Sequence, residues 1–146
     1  MIRINVVCVG KLKEQYWTDA VNEYVKRVSR FGELKIIELP ERKTLSEEAK
    51  DILQKAKGYV VLTDVQGELV TSEGIAELTQ NALNRGASEV TFVIGSSEGV
   101  DEEVKQKANK RISFGRVTFP HQMMRVIVCE QVYRALTILN GVTYHK

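Results

Sequence analysis

A chain of 146 residues, 43% hydrophobic and 27% charged, has the balance of a single globular domain over residues 1–146 and excludes a disordered or fibrous polymer. No apolar run approaches the roughly 20 residues needed to cross a bilayer, and Met1 to Gly10 lack the marks of a secretory signal; a cytoplasmic address with no membrane partner is expected. Two cysteines inside apolar runs and two histidines without clustered partners offer nothing to a disulfide framework or a metal site. The net charge of +2 conceals an uneven distribution: residues 1–57 carry 12 Lys/Arg against 9 Asp/Glu, residues 58–99 carry 1 against 6, and residues 100–146 carry 8 against 4. Basic ends permit a polyanionic partner, and equally an ordinary solvated surface.

Short β-branched runs alternate with stretches of helical period, the pattern of an α/β protein with a mostly parallel sheet flanked by helices. The first strand runs from Ile2 to Val9. In the helix that follows, Tyr16, Trp17, Ala20, Val21, Tyr24, Val25 and Val28 recur at spacings of three and four, which predicts one apolar face on the sheet with the aromatics in the core. Glu33 to Leu39 form a second strand ended by Pro40, and Ser46 with Glu47 and Glu48 opens a short helix that Gly58 stops. Tyr59 to Val65 make the third strand. Thr71 or Ser72 caps a helix through Ile75, Leu78, Ala82 and Leu83, closed by Gly86. Glu89 to Gly95 make the fourth strand, Asp101 caps another helix, and Ile112 to Phe119 make the fifth strand.

The last helix, opened by Pro120 and His121, is apolar on more than one face between Met123 and Leu139. A second copy of the chain across a twofold axis would supply the missing surface; burial wholly inside its own domain is the alternative.

In an open parallel sheet, ligands sit at the carboxyl ends of the strands. Gly10-Lys11-Leu12-Lys13 follows the first strand and could meet phosphate, although two solvated lysines are the commoner meaning of such a turn and the P-loop spacing is absent. Thr63-Asp64-Val65-Gln66-Gly67 follows the third strand, with Asp64 either lining a ligand or forming the turn. After the fourth strand, Gly95-Ser96-Ser97-Glu98-Gly99 lets bare backbone approach a ligand, or is a plain turn. His121 and Arg125, four apart, share a helix face that could bracket an anion or a base edge. Glu130 and Arg134 lie about 180° away by helical phase, so a site uniting both pairs has to cross a dimer interface; a simple intrahelical ion pair is the other reading. The final Tyr144-His145-Lys146 would ordinarily fray.

Taken in order, Gly10-Lys11-Leu12-Lys13, Glu38-Leu39-Pro40, Phe92-Val93-Ile94-Gly95, Thr118-Phe119-Pro120-His121-Gln122, Glu130-Gln131-Val132-Tyr133-Arg134-Ala135 and Tyr144-His145-Lys146 resemble the RlmH-type ribosomal RNA large subunit methyltransferases of the SPOUT superfamily, from the first strand to the last residue. The resemblance implies a C-terminal deep trefoil knot holding S-adenosyl-L-methionine, a homodimer, and methylation of N3 of a pseudouridine in 23S rRNA on the assembled ribosome. It places Thr63, Gly95 and the segment Phe114, Gly115, Arg116, Val117, Thr118 and Phe119 around the cofactor. His121, Arg125, Tyr144 and His145 are expected around the target base, with Glu130 and Arg134 in support or as proton acceptor, and Lys11, Lys13, Arg116 and Lys146 against phosphates. The chain departs from the usual pattern at Ser96, Thr63, Phe114-Gly115 and Thr143. Those contacts are largely backbone, so the changes bear on loop geometry more than on reaction class.

Overall fold

The computed structural model describes residues 1–146. In chain order the elements are β1 (Ile2–Val9), α1 (Gln15–Val28), β2 (Gly32–Leu39), α2 (Leu45–Lys55), β3 (Tyr59–Leu69), α3 (Ser72–Asn84), β4 (Val90–Ile94), α4 (Glu102–Lys107), β5 (Lys110–Ser113) and α5 (His121–Leu139). The strands form one five-stranded sheet in the order β2-β1-β4-β3-β5, and every pairing is parallel. Parallel strands must be linked by crossovers, which is why helices cover both faces.

Side-chain alternation along the central strands divides the core. Ile4, Val6 and Cys8 of β1 join Phe92 and Ile94 of β4 on the face covered by α1, α3 and α5. Val7, Val9 and Val93 point the other way, onto Ala49 and Ile52 of α2 and Val104 of α4. Burial of the Cys8 and Cys129 thiols pushes them up to about 11 and about 12 respectively, so neither ionises near neutrality. α5 lies against α1 and α3 and over β1 and β4, with Val128, Cys129, Val132, Ala135 and Leu136 buried. Its opposite face, with Met123, Ile127 and Ile138, is only half covered. No helix is long and apolar enough to cross a membrane.

Four sequence expectations are corrected. Tyr16 is 63% exposed, edge-on to Trp17 at the first turn of α1, and α1 packs chiefly on α5. Thr44, not Ser46, caps α2: its hydroxyl oxygen accepts the Glu47 N–H at 3.1 Å. β3 runs on to Leu69, because its pairing with β5 resumes at Glu68 after the chain bulges between Thr63 and Glu68. β5 is Lys110–Ser113 and not Ile112 to Phe119, since β3 ends opposite Ser113 and leaves the following residues without a strand to pair with.

Leu136 is fully enclosed while Ile127 is only partly buried, so truncation should separate the two faces of α5. Leu136→Ala is expected to lower the urea-unfolding free energy by about 3 kcal/mol, and Ile127→Ala by about 1 kcal/mol or less.

Candidate active site

The irregular chain after β3, β4 and β5 meets the first turn of α5 at the carboxyl edge of the sheet, around a cavity of about 670 Å³. That is room for a cofactor-sized organic molecule. Thr63, Gly95 and the segment from Phe114 to Phe119 line it, with the exception of Arg116. The Arg116 guanidinium turns away and donates to the carbonyls of Val65 and, at 3.0 Å, Gly67, lacing the β5 segment to the β3 bulge.

Each wall has a local cause. Thr63 donates its hydroxyl to the Val93 carbonyl at 3.0 Å, joining the ends of β3 and β4. Asp64 accepts the Gln66 N–H at 2.9 Å and two bonds from the Arg111 guanidinium, at 2.7 and 3.1 Å. Burial pushes its carboxyl up, but the Gln66 N–H and Arg111 outweigh it and hold the carboxyl below the usual aspartate value. A Cβ on Gly95 would stand 2.6 Å from both the Gly99 carbonyl oxygen and the Val100 side chain, so only glycine lets the Ser96–Gly99 turn fold back here. Ser113 Oγ donates to the Gly115 carbonyl and accepts the Gly115 N–H, which sets the exit from β5.

His121 forms part of the cavity wall, and its Nδ1 is buried without a protein partner. Arg125 does not bracket an anion beside it. Its side chain is 0% exposed and points inward, donating to Glu38 Oε2 at 2.6 Å and to the Gly10 carbonyl at 3.1 Å. Glu38 Oε2 also accepts the Leu12 N–H at 3.4 Å. Arg125 therefore holds the Gly10–Lys13 turn against α5.

The remaining expected residues gather elsewhere. α5 ends in a reversal: Gly141, at φ +66°, donates its N–H to the Ile138 carbonyl, and Val142 donates to the Thr137 carbonyl. The chain then runs back along its own helix instead of fraying. Tyr144 packs edge-on to Tyr133 at 4.7 Å and donates its hydroxyl to Glu130 Oε2 at 2.8 Å. Arg134 donates to both Glu130 oxygens and stacks 4.7 Å from the Tyr144 ring. His145 Nδ1 lies 3.2 Å from Arg134 Nη1, and His145 Nε2 lies 2.8 Å from Glu73 Oε1. Burial and the Glu130 carboxylate push the Tyr144 phenol up to about 12. Glu130, Arg134, Tyr144 and His145 form no part of the cavity wall of their own chain.

Sequence reasoning passed over Val100, Lys105 and Met124, which also line the cavity. Met124 carried a usable signal, one helical turn beyond His121 on a face already suspected. Val100 and Lys105 carried none, because only the fold-back at Gly95 brings them near. No three His, Cys, Asp or Glu side chains converge as a metal site.

The fold and this cavity define an α/β protein that takes an organic ligand at the carboxyl edge of a parallel sheet. A family model described as "Predicted SPOUT methyltransferase" matches residues 2–145, and the chain belongs to the SPOUT methyltransferase family. It is 43% identical to a Lactobacillus johnsonii protein named ribosomal RNA large subunit methyltransferase H, covering 99% of this chain and all of that protein. Among solved structures, a tRNA (m1G37) methyltransferase from Aquifex aeolicus superposes with a TM-score of 0.58 at 16% identity, covering 99% of this chain and 73% of that one. The SpoU methyltransferase AviRb from Streptomyces viridochromogenes, in complex with AdoMet, superposes with a TM-score of 0.52 at 10% identity, over 96% and 59%.

Because the folded Asp64 value is depressed, its pairing with Arg111 stabilises the protein fully above the unfolded value near 4, and the contribution is lost as pH falls through the lower folded value. Urea titrations of wild type and Asp64→Asn should show a stability gap at pH 7 that closes toward pH 2.

Proposed function

We propose that this chain, as one domain and as a homodimer in the cytoplasm, transfers a methyl group from S-adenosyl-L-methionine to N3 of a pseudouridine in 23S rRNA of the assembled ribosome. Its family is one of methyltransferases, and its 43% identical relative is named for methylation of large-subunit ribosomal RNA. The observation that carries the reading is the cavity built from the ends of β3, β4 and β5 and closed by α5.

The residues present fit that cofactor. Gly95 and the fold-back after it expose backbone N–H and C=O groups, while Ile94, Phe114, Val117 and Phe119 give apolar surface. When bound there, S-adenosyl-L-methionine supplies a methyl group on a positively charged sulfur, open to direct displacement. The protein's share is to align the attacking nitrogen and exclude water. His121 orients groups at the cavity wall, and Arg125 serves from behind by fixing the Gly10–Lys13 turn. That turn, with Lys11 and Lys13, and Lys146 on the tail suit contacts with RNA phosphate. Arg116 lends the cavity its lacing to the β3 bulge and keeps an exposed cationic side chain for phosphate.

Two features favour the dimer. The outer face of α5 is only partly covered, and the Glu130–Arg134–Tyr144–His145 group sits on the side of α5 opposite His121, so one copy's tail completes the other copy's cavity. In this arrangement the tail favours charge stabilisation over proton acceptance. A phenol with its value near 12 remains protonated, and the Glu130 carboxylate is already occupied by donors from Arg134, Gln131 and Tyr144. Arg134 can instead stabilise the deprotonated imide of the target ring. The knot that the resemblance implies agrees with the return of the chain from the edge strand β5 to a helix lying over the central strands.

Tritium from labelled S-adenosyl-L-methionine should appear at N3 of pseudouridine with intact ribosomes and at far lower yield with bare rRNA. Deleting residues 144–146 should cut transfer by roughly 100-fold or more while calorimetric cofactor binding and the unfolding midpoint stay at wild-type values. Absent cofactor binding at millimolar concentration would overturn the enzymatic reading, and a monomer at assay concentrations would overturn the composite site.

A further inference from the structure

Glu73 is the first-turn acid of α3, whose N-terminus Thr71 caps by accepting the Gly74 N–H at 2.9 Å. Helix polarity alone would explain an acid there. The contacts around it say more. Glu73 Oε1 lies 2.8 Å from His145 Nε2, and the adjacent Ser72 donates its hydroxyl to Gln131 Oε1 at 2.7 Å, whose Nε2 donates to Glu130 Oε1 at 2.9 Å. α3 thus grips the tail group at both ends, through His145 and through Glu130. The two grips converge on Arg134, whose guanidinium lies between them.

The chemistry of the neighbours selects one state of the neutral His145 ring. Arg134 has only donors, so Nδ1 must accept from it; Glu73 has only acceptors, so the proton must sit on Nε2. Of the five N–H groups of a guanidinium, Nε and one on Nη2 go to Glu130, and one on Nη1 goes to His145. The remaining two, one on each terminal nitrogen, are left for acceptors on a base edge.

We propose that Glu73 is a positioning residue for methyl transfer: by holding His145 in the Nε2–H tautomer, it fixes the plane of the Arg134 guanidinium and aims the two uncommitted N–H groups at the target base. The inference rests on the reading that the tail and Arg134 face that base. It makes His145 an orienting group with both nitrogens engaged, and gives α3, which lies outside the cavity, a part in turnover.

The test uses full-length Glu73→Ala and Glu73→Gln, with 15N-resolved spectra of the His145 ring and methyl transfer to ribosomes at saturating cofactor. Wild type should show distinct protonated Nε2 and unprotonated Nδ1 signals. Glu73→Ala should move both toward the average of mixed tautomers and lower kcat by roughly tenfold or more, with cofactor affinity and unfolding midpoint unchanged. Glu73→Gln, whose amide oxygen still accepts the Nε2 proton, should recover the wild-type ring signals and most of kcat. Wild-type ring signals in Glu73→Ala, or equal loss of kcat in both variants, would overturn the inference. His145→Ala separates the two levels: if it is inactive while Glu73→Ala turns over normally, only the role of Glu73 fails, and if it is fully active the tail reading fails as well.

Discussion

A guanidinium removed entirely from water has to be paired, and the pairing of Arg125 fixes how the rest of this molecule fits together. Its desolvation is offset only when Glu38 and the Gly10 carbonyl are both in place, so the end of β2, the turn after β1 and the second turn of α5 are locked in one arrangement. The entry angle of α5 depends on that lock. So does His121, one turn earlier, which stands in the cavity wall with the Gly10 turn close by. A purely apolar residue in its place could fill the volume but would leave the Glu38 carboxylate and the turn without their anchor.

From that anchored end, α5 spans two environments. Its inner face is core, and its first turn closes the cavity shaped by the ends of β3, β4 and β5. Half a turn around and further along, the outer face carries Glu130 and Arg134, onto which the reversal at Gly141 folds the tail. No bend in a regular helix brings both groups to one point within a single chain. Helix geometry therefore keeps the cavity-side residues at one end of α5 apart from the tail group at the other, and this separation is what the proposed dimer would resolve.

The electrostatics of the tail fit a reaction in which negative charge appears on a ring that begins with a proton. Every acid in the group is already satisfied by donors, and the phenol is held protonated, so the group is built to keep Arg134 fixed and cationic. An arginine held by three hydrogen bonds to two partners loses little by way of reorganisation when charge develops beside it. In the proposed reaction, orientation of a permanent cation is the tail's contribution, because the transferred group arrives already activated.

Much of this was written locally in the chain. Alternating β-branched runs and helical periods fixed the number and direction of the strands, because parallel sheets need a crossover helix at each step. The cap at Asp101, and that of α3 to within Thr71 or Ser72, were legible for the same reason, being short-range bonds between neighbouring residues. The cap of α2 was misassigned to Ser46, although the Thr44-x-x-Glu47 spacing carried the same short-range signal. What the sequence by itself could not determine involves partners far apart in the chain. Arg125 looked like a solvent-facing companion of His121, and only the ends of β1 and β2 closing over it turned it into a buried strut. The strand character of Phe114 to Phe119 vanished because β3 had no residues left to pair with it. The tail looked frayed until the reversal at Gly141 met Glu130 and Glu73, residues 14 and 72 positions away from the tail side chains they hold. Local pattern decides which elements form, while long-range burial and pairing decide what each polar side chain is for.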